Sequence, residues 1–277
     1  MDSGSRFISA IDIVSIETVE REAWLDLFAA APRKYADAAD LRYQRSGASV
    51  VLADRSVPIV EFNRGMCIGV ERPESEKSVD AMLEWLRNHA DPQWALQISP
   101  ASQPAEIHAW TADRGLAKKG NGWAKFYRDS TTPISPRNSD LSVRSVKPHD
   151  AMSFGDVVQK GFGLPSASSA WFARLVARPK WSTYLAYEGT LPVAAGALFV
   201  DGNWAWLGID ATLPDYRGRG AQTSLIARRI QDGLANGVGG FTAETGQPEA
   251  TKENMHISFR NYLKAGFVRA YVRWNYR

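Results

Sequence analysis

The run Tyr216-Arg217-Gly218-Arg219-Gly220-Ala221 combines the residue types best suited to hold an anion. Glycine lacks a Cβ, so a ligand can approach the main chain closely at Gly218 and Gly220. A helix starting at Ala221 would present unpaired N–H groups and the positive end of its dipole. Together these make a phosphate cradle, with Arg217 and Arg219 adding charge at its rim. The cradle needs a strand to deliver it and a helix to leave it. Trp204-Ala205-Trp206-Leu207-Gly208-Ile209 is aromatic and apolar enough for a buried strand, and Pro214 stops it. Leu225, Ile226, Ile230 and Leu234 give the following helix a broad apolar face, and Gly233 or Gly237 permits a left-handed end.

Two common phosphate patterns fail on residues. A P-loop needs G-x-x-x-x-G-K-[ST], and no lysine follows Gly220; a dinucleotide fingerprint needs a third glycine where Thr223 stands. What fits is R-x-x-G-x from Arg217. It resembles the acetyl-CoA pyrophosphate loop, Q/R-x-x-G-x-G/A, of the GCN5-related N-acetyltransferases. Arg217 and Gly220 match that pattern, and Gln222 departs from it, standing where Gly or Ala is usual. The amides of Arg219 to Thr223 stay available despite that departure. A second landmark of the family, Y-x-x-x-G-F, reads Tyr262-Leu263-Lys264-Ala265-Gly266-Phe267. It follows Arg217 by 45 residues with one expected strand, Phe241 to Glu244, between. The resemblance covers residues 141–277.

The resemblance implies an acetyl-CoA-dependent N-acetyltransferase without a metal, acting by direct attack of a primary amine of a small molecule or peptide. Backbone at Asp210, Ala211, Thr212 and Leu213 would pair with pantetheine and polarise the thioester carbonyl. The cradle Arg217, Gly218, Arg219, Gly220, Ala221, Gln222 and Thr223 would hold the pyrophosphate. Tyr262 maps to the general acid for the leaving thiolate. Glu244 or Asp210 is the candidate base, and for each a salt-bridged or solvated carboxylate is an equal reading. Asn254, Ser258 and Asn261 precede or share the Tyr262 helix, where relatives often contact the cofactor, although capping or surface roles are an equal reading; Ser258 and Asn261, three residues apart, fall on a similar face. The amine site would use the two helices after the first strand of this half, where Phe162, Trp171 and Phe172 lie, although aromatics at that density are commonly core. A CoA-binding or sensing module without transfer is the alternative. A nucleic-acid binder using Arg217, Arg219, Arg228 and Arg229 is disfavoured by the lack of interleaved exposed aromatics.

Composition agrees with a soluble globular chain. Of the 277 residues 44% are hydrophobic and 23% charged, and the net charge of +3 argues for neither a nucleic-acid nor a membrane partner. The charge is uneven: residues 1–130 carry 16 Lys and Arg against 19 Asp and Glu, and residues 131–277 carry 17 against 11, which puts the positive excess beside the cradle. The single cysteine, Cys67, excludes an intrachain disulfide and lies in an apolar run, so it reads as a small buried hydrophobe. With no basic n-region and apolar core at the start, and no apolar run near the ~20 residues of a membrane span, the expectation is a cytoplasmic protein. His89, His108, His149 and His256 show no metal spacing and read as structural or exposed.

The remaining elements suggest a repeat. Helices are expected at Val19–Ala31, Ala36–Arg45, Glu74–His89 and Pro104–Thr111, with strands at Phe7–Ile16, Ala48–Ala53, Pro58–Phe62, Met66–Val70, Trp94–Ile98 and Gly122–Tyr127. Residues 130–140, rich in Ser, Thr and Pro, break the pattern. Strands at Leu141–Val146, Tyr184–Tyr187, Val193–Val200 and Phe267–Trp274 and helices at Asp150–Gly161, Ser168–Ala177 and Glu253–Lys264 follow. The two halves share an element order. The reading is an α/β fold with a mixed α+β sheet, built as two tandem domains resembling the family's fold. Each would have a central, mostly antiparallel sheet flanked by helices. Residues 1–130 would be a degenerate domain, 131–140 a linker and 141–277 the catalytic domain. At the equivalent of the cradle the first half reads Gly69-Val70-Glu71-Arg72-Pro73-Glu74-Ser75-Glu76, where R-x-x-G is missing and three glutamates would repel a pyrophosphate. That half would close the acceptor site, hold the catalytic half, or mediate a homodimer.

Overall fold

The computed structural model describes residues 10–134 and 139–277. The first half runs α1 (Ala10–Ala29), α2 (Arg33–Ala39), β1 (Arg42–Ser46), β2 (Ser49–Ala53), β3 (Arg64–Met66), α3 (Glu76–His89), β4 (Ala95–Ile98), α4 (Ile107–Asp113) and β5 (Lys118–Asp129). The second runs β6 (Ser142–Ser145), α5 (Ala151–Phe162), α6 (Ser168–Ala173), β7 (Trp181–Glu188), β8 (Leu191–Asp201), β9 (Trp204–Thr212), α7 (Ala221–Ala235), β10 (Gly240–Gly246), α8 (Ile257–Lys264) and β11 (Val268–Tyr276).

Among the described residues all eleven strands join one sheet, in the order β1-β2-β3-β4-β11-β5-β10-β9-β8-β7-β6. Neighbours are antiparallel except β3–β4 and β9–β10. The expected repeat is visible as two mirrored runs, β1 to β4 and β7 to β10, each with its parallel pair in the same place. The halves exchange their last strands: β5 lies between β10 and β11, and β11 lies between β4 and β5. The stretch at 131–140, expected as a linker, falls between β5 and β6, with residues 135–138 outside those described.

Strand alternation sorts side chains to the two faces. Ala195, Ala197 and Phe199 of β8 enter one core with α1, α2, α5 and α6, and Ala194 and Leu198 enter another with α7 and α8. In β2, Val50 and Leu52 join the first core, while Val51 packs under α3 and α4. One face is therefore a single core built from both halves. The other face carries two cores, one under each half's own helices. On the shared face α1 packs over β8 and β9, strands of the second half.

Several local expectations change. Residues 10–16, expected as the end of a strand, are helical in α1; residues 7–9 lie outside those described. The helix expected over 36–45 stops at Asp40, whose φ of 49° lets its N–H close on Ala36 O, and β1 follows. Pro58–Phe62 is no strand but ends in a 3-10 turn at Val60–Phe62. The cause is the buried Asn63 amide, which donates to Asp54 O at 3.1 Å, Val57 O at 2.8 Å and Ile59 O at 3.2 Å, pinning the loop. The helix expected from Glu253 begins at Ile257, after a 3-10 turn over Ala250–Met255. Among the described residues no helix is long and apolar enough to cross a membrane.

Candidate functional site

β9 and β10 pair only from Trp204↔Gly240 to Leu207↔Ala243. Beyond that point they separate, because β9 carries a bulge. Its register with β8 slips between Ala195 and Ala197, and Ile209 takes a φ of 59°, a costly value for a β-branched residue. Gly208 allows it: the Trp206 ring folds so close that a Cβ there would stand 2.0 Å away. A cavity of about 290 Å³ opens at the split. Gly208, Ile209 and Asp210 form one wall, and Glu244, Thr245 and Gly246 the other. The first half contributes Trp24 and Leu27 from α1, Glu61 and Phe62 from the pinned loop, and Trp123 from β5. His256 and Ser258, at the start of α8, also line it.

The cradle forms as its glycines require. Gly218 and Gly220 have φ of 78° and 81°, and Gly220 is the N-cap of α7. Among the described residues, no acceptor is bonded to the amides of residues 218–223; the first helical amide to bond back is Ser224, to Gly220 O at 3.0 Å. Open amides at the start of a fifteen-residue helix suit a phosphate ester. The arginines are engaged locally. Arg217 donates to Gly161 O at 3.1 Å, and Arg219 pairs with Glu188 while its guanidinium lies over Tyr216. Gln222 bridges α7 to α8, donating to Ser258 Oγ at 2.7 Å and accepting from Asn261 Nδ2 at 2.8 Å. The three expected cofactor contacts Gln222, Ser258 and Asn261 are thus brought together; Asn254 is exposed and stands apart.

Of the β9 backbone residues, Ala211 and Thr212 pair with β8 on one side and, among the described residues, have no strand on the other. Leu213 differs from expectation: its N–H is taken by Val193 O at 3.0 Å and its carbonyl by Tyr216 N at 2.9 Å. The turn after Pro214 folds the chain back onto Leu213 and draws it toward β8.

Tyr262 is 1% exposed, stacked on Phe126 and edge-on to Phe267. Its hydroxyl donates to Asp210 Oδ2, while Asp210 Oδ1 pairs with the buried Arg229. Arg229 also donates to Ala197 O at 3.0 Å and Gly208 O at 3.2 Å, tying α7 to the bulge. Burial pushes the Tyr262 phenol well above its ordinary range, and the Asp210 charge adds to the shift. The phenol therefore keeps its proton through neutral pH, against the carboxylate that lines the cavity.

Glu244 lines the cavity with both oxygens occupied. Oε2 lies 2.6 Å from Arg273 and 3.6 Å from Lys125, and Oε1 lies 3.3 Å from Arg64. Glu17 and Glu20 of α1 complete this buried group: Arg273 Nη1 is 2.9 Å from Glu17 and 3.0 Å from Glu20. Three cations and three carboxylates thus balance across α1, β3, β5, β10 and β11.

The aromatic expectations divide. Phe162 and Phe172 line the cavity, whereas Trp171 is core, its indole donating to Leu27 O at 2.7 Å. His256 caps α8, its Nδ1 accepting from Phe259 N at 3.2 Å, and also reaches the cavity. Cys67 is buried, and burial raises its thiol well above the ordinary value. Among the described residues no three His, Cys, Asp or Glu side chains form a metal-ligand set. The first half's counterpart of the cradle is closed. Cys67 to Val70 are buried, and Gln103 lies over Gly69, its N–H on Gly69 O at 2.8 Å and its carbonyl on Glu74 N at 2.8 Å. Trp24, Glu61 and Trp123 were not legible as site residues; the crossing of α1 and β5 into the second half brings Trp24 and Trp123 there, and the loop pinned by Asn63 brings Glu61.

No protein-family model and no curated protein matches the chain. Solved structures do match the fold. A GCN5-related N-acetyltransferase from Kribbella flavida superposes with a TM-score of 0.60 at 14% identity, covering 98% of this chain and 96% of its own. A tandem protein of the same fold from the clavulanic acid biosynthesis pathway gives 0.55 at 16%, covering 97% and 95%. A GCN5-related N-acetyltransferase from Sphaerobacter thermophilus gives 0.57 at 17%, covering 82% and 78%. The chain has the tandem GCN5-related N-acetyltransferase fold.

Proposed function

We propose that this chain, with its tandem GCN5-related N-acetyltransferase fold, moves an acetyl group from acetyl-CoA to a primary amine of a small molecule or peptide. The observation that carries the reading is the conjunction at the end of β9. A strand split opens a cavity beside a helix N-terminus whose amides have no acceptor among the described residues. The amides of residues 219–223 would hold the diphosphate, and the free edge of β9 at Ala211 and Thr212 would hold the pantetheine arm. In this reading the thioester would lie in the split, close to Asp210 and Tyr262. The neutral amine attacks the carbonyl carbon, the C–N bond forms, the C–S bond breaks, and CoA leaves as a thiolate. The amine gives up one proton to a cavity carboxylate or water, and the thiolate gains one. Holding amine and thioester together supplies much of the rate.

Tyr262 is assigned as proton donor to the leaving sulfur, turning from Asp210 when the thioester is in place. Tyr262→Phe is expected to lower kcat by about 100-fold, the lower end of the range for a general acid, with acetyl-CoA affinity unchanged. Steady-state thiol release and calorimetry check this; an unaltered kcat removes Tyr262 from the chemistry.

The reading is tested by thermal shift with acetyl-CoA, then thiol release against a panel of amines. A hundredfold excess over Kd should stabilise the protein by about 2.7 kcal/mol. No shift would sink the proposal, and a shift without thiol release from any amine would make the protein a binding module. Gly220→Val provides the local check. At a φ of 81° a Cβ costs about 1–2 kcal/mol and disturbs the cradle. Acetyl-CoA affinity should fall about tenfold, and unchanged affinity would put the diphosphate elsewhere.

A further inference from the structure

The wall that the first half adds to the cavity has a chemistry of its own. Trp24 packs edge-on against Phe62 at 5.4 Å and tilted against Trp206 at 6.1 Å. The Nε1 atoms of Trp24, Trp123 and Trp206 are buried without a hydrogen-bond partner among the described residues, and all three residues line this one cavity. Two other buried indoles are satisfied: Trp171 donates to Leu27 O and Trp181 to Asp26, each at 2.7 Å. Each of these N–H groups around the cavity is closed off from the open space, so the wall offers an occupant ring carbon rather than donors.

Three carboxylates line the same space. Asp210 is paired with Arg229, and Glu244 with Arg273 and Arg64. Glu61 alone of the three has no ion pair among the described residues. It is not loose, because the Asn63 amide pins the loop that carries it. Burial raises its carboxyl, the Arg64 charge opposes that shift, and Glu244 adds to it. A cation at Glu61 would relieve both burial and repulsion.

We infer that the cavity takes a cationic amine with a flat, aromatic body, its ammonium held by Glu61 of the first half. This rests on the transfer reading only for the fate of the amine. At about 290 Å³ the space is at the small end for ligand sites, which suits one ring system. The aromatic walls hold the body by ring packing, while the Trp24 face already carries the Arg64 guanidinium at 4.5 Å, which leaves the cation to Glu61. A folded peptide or an extended polyamine leaves the ring box unmatched. Glu61 is thus a binding residue contributed by the half that carries no cradle.

The test is calorimetry on the full-length protein without acetyl-CoA, using tyramine, 2-phenylethanol and spermidine as probes. Tyramine is expected to bind at least about tenfold more tightly than either of the others. Glu61→Gln should weaken tyramine about tenfold or more, and Glu61→Asp should recover part of the loss. The thermal shift with acetyl-CoA should stay as in the wild type. Spermidine or 2-phenylethanol binding as well as tyramine, no tyramine binding at all, or a Glu61→Gln affinity equal to wild type would each overturn the inference. Because acetyl-CoA is absent, a failed transfer reading shows up separately, as tyramine binding without thiol release. The wild-type probe comparison stands even if a Glu61 variant does not fold.

Discussion

Residues 131–277 expressed alone are expected to give an insoluble or unfolded chain, although that stretch holds the cradle, Tyr262 and both motifs. Three losses act together. Removing β5 leaves β10 without its partner from Gly240 to Gly246 and leaves β11 without β5 or β4 on either side. Long unpaired strand edges invite aggregation. Removing α1 uncovers the buried Trp206, Phe199 and Leu185 on the shared face. Removing Glu17, Glu20, Arg64 and Lys125 strips the buried Glu244 and Arg273 of most of their partners. The measurement is solubility, near-ultraviolet circular dichroism and acetyl-CoA thermal shift of the fragment. A soluble fragment with native signals and full acetyl-CoA stabilisation would mean that the exchanged strands are dispensable.

Glu20→Ala should be the most damaging single substitution in the ion cluster, at about 3–5 kcal/mol. Glu20 is completely buried and touches Arg273, Arg64 and Lys125. Its loss leaves three buried cations facing two carboxylates. Burial opposes ionisation of Glu20, but Arg273, Lys125 and Arg64 together hold its carboxyl well below the ordinary value. The sign of the pH dependence follows. A depressed folded pKa gives stability that is complete above the unfolded value of about 4.3 and is lost as pH falls through the folded value. Urea unfolding of wild type and Glu20→Gln at pH 7 and at successively lower pH should show a large difference at pH 7 that shrinks below about pH 4. Equal midpoints at pH 7 would show that the cluster contributes nothing through Glu20.

Glu20 and the fragment teach the same lesson about the sequence. The apolar face Val79, Met82, Leu83 and Leu86 of α3 was readable because helical spacing is a property of neighbours along the chain, and all four are buried. The strand–loop–helix around Gly220 was readable because a positive φ beside an open helix start demands glycine locally. Pro58–Phe62 was misread because its shape is set by Asn63, whose amide reaches back to carbonyls that no strand pattern registers. Glu244 was legible as a carboxylate at a strand end, but not as a member of a buried cluster with partners as distant as Glu20 and Arg64.

The sequence by itself determined the local pieces: the glycine turn into the helix at Ala221, the helix carrying Tyr262, and the tandem build of the chain. Each depends on side-chain period, backbone φ or charge within a few residues. Only the tertiary structure decided that β5 and β11 change places and that α1 crosses onto β9. It also decided that Glu61, Trp24 and Trp123 meet Asp210 and Glu244 in one cavity. The reason is physical. Strand pairing across more than a hundred residues is selected by the fit of whole faces and by charges balanced across five elements, and such a fit leaves no periodic trace in any one segment.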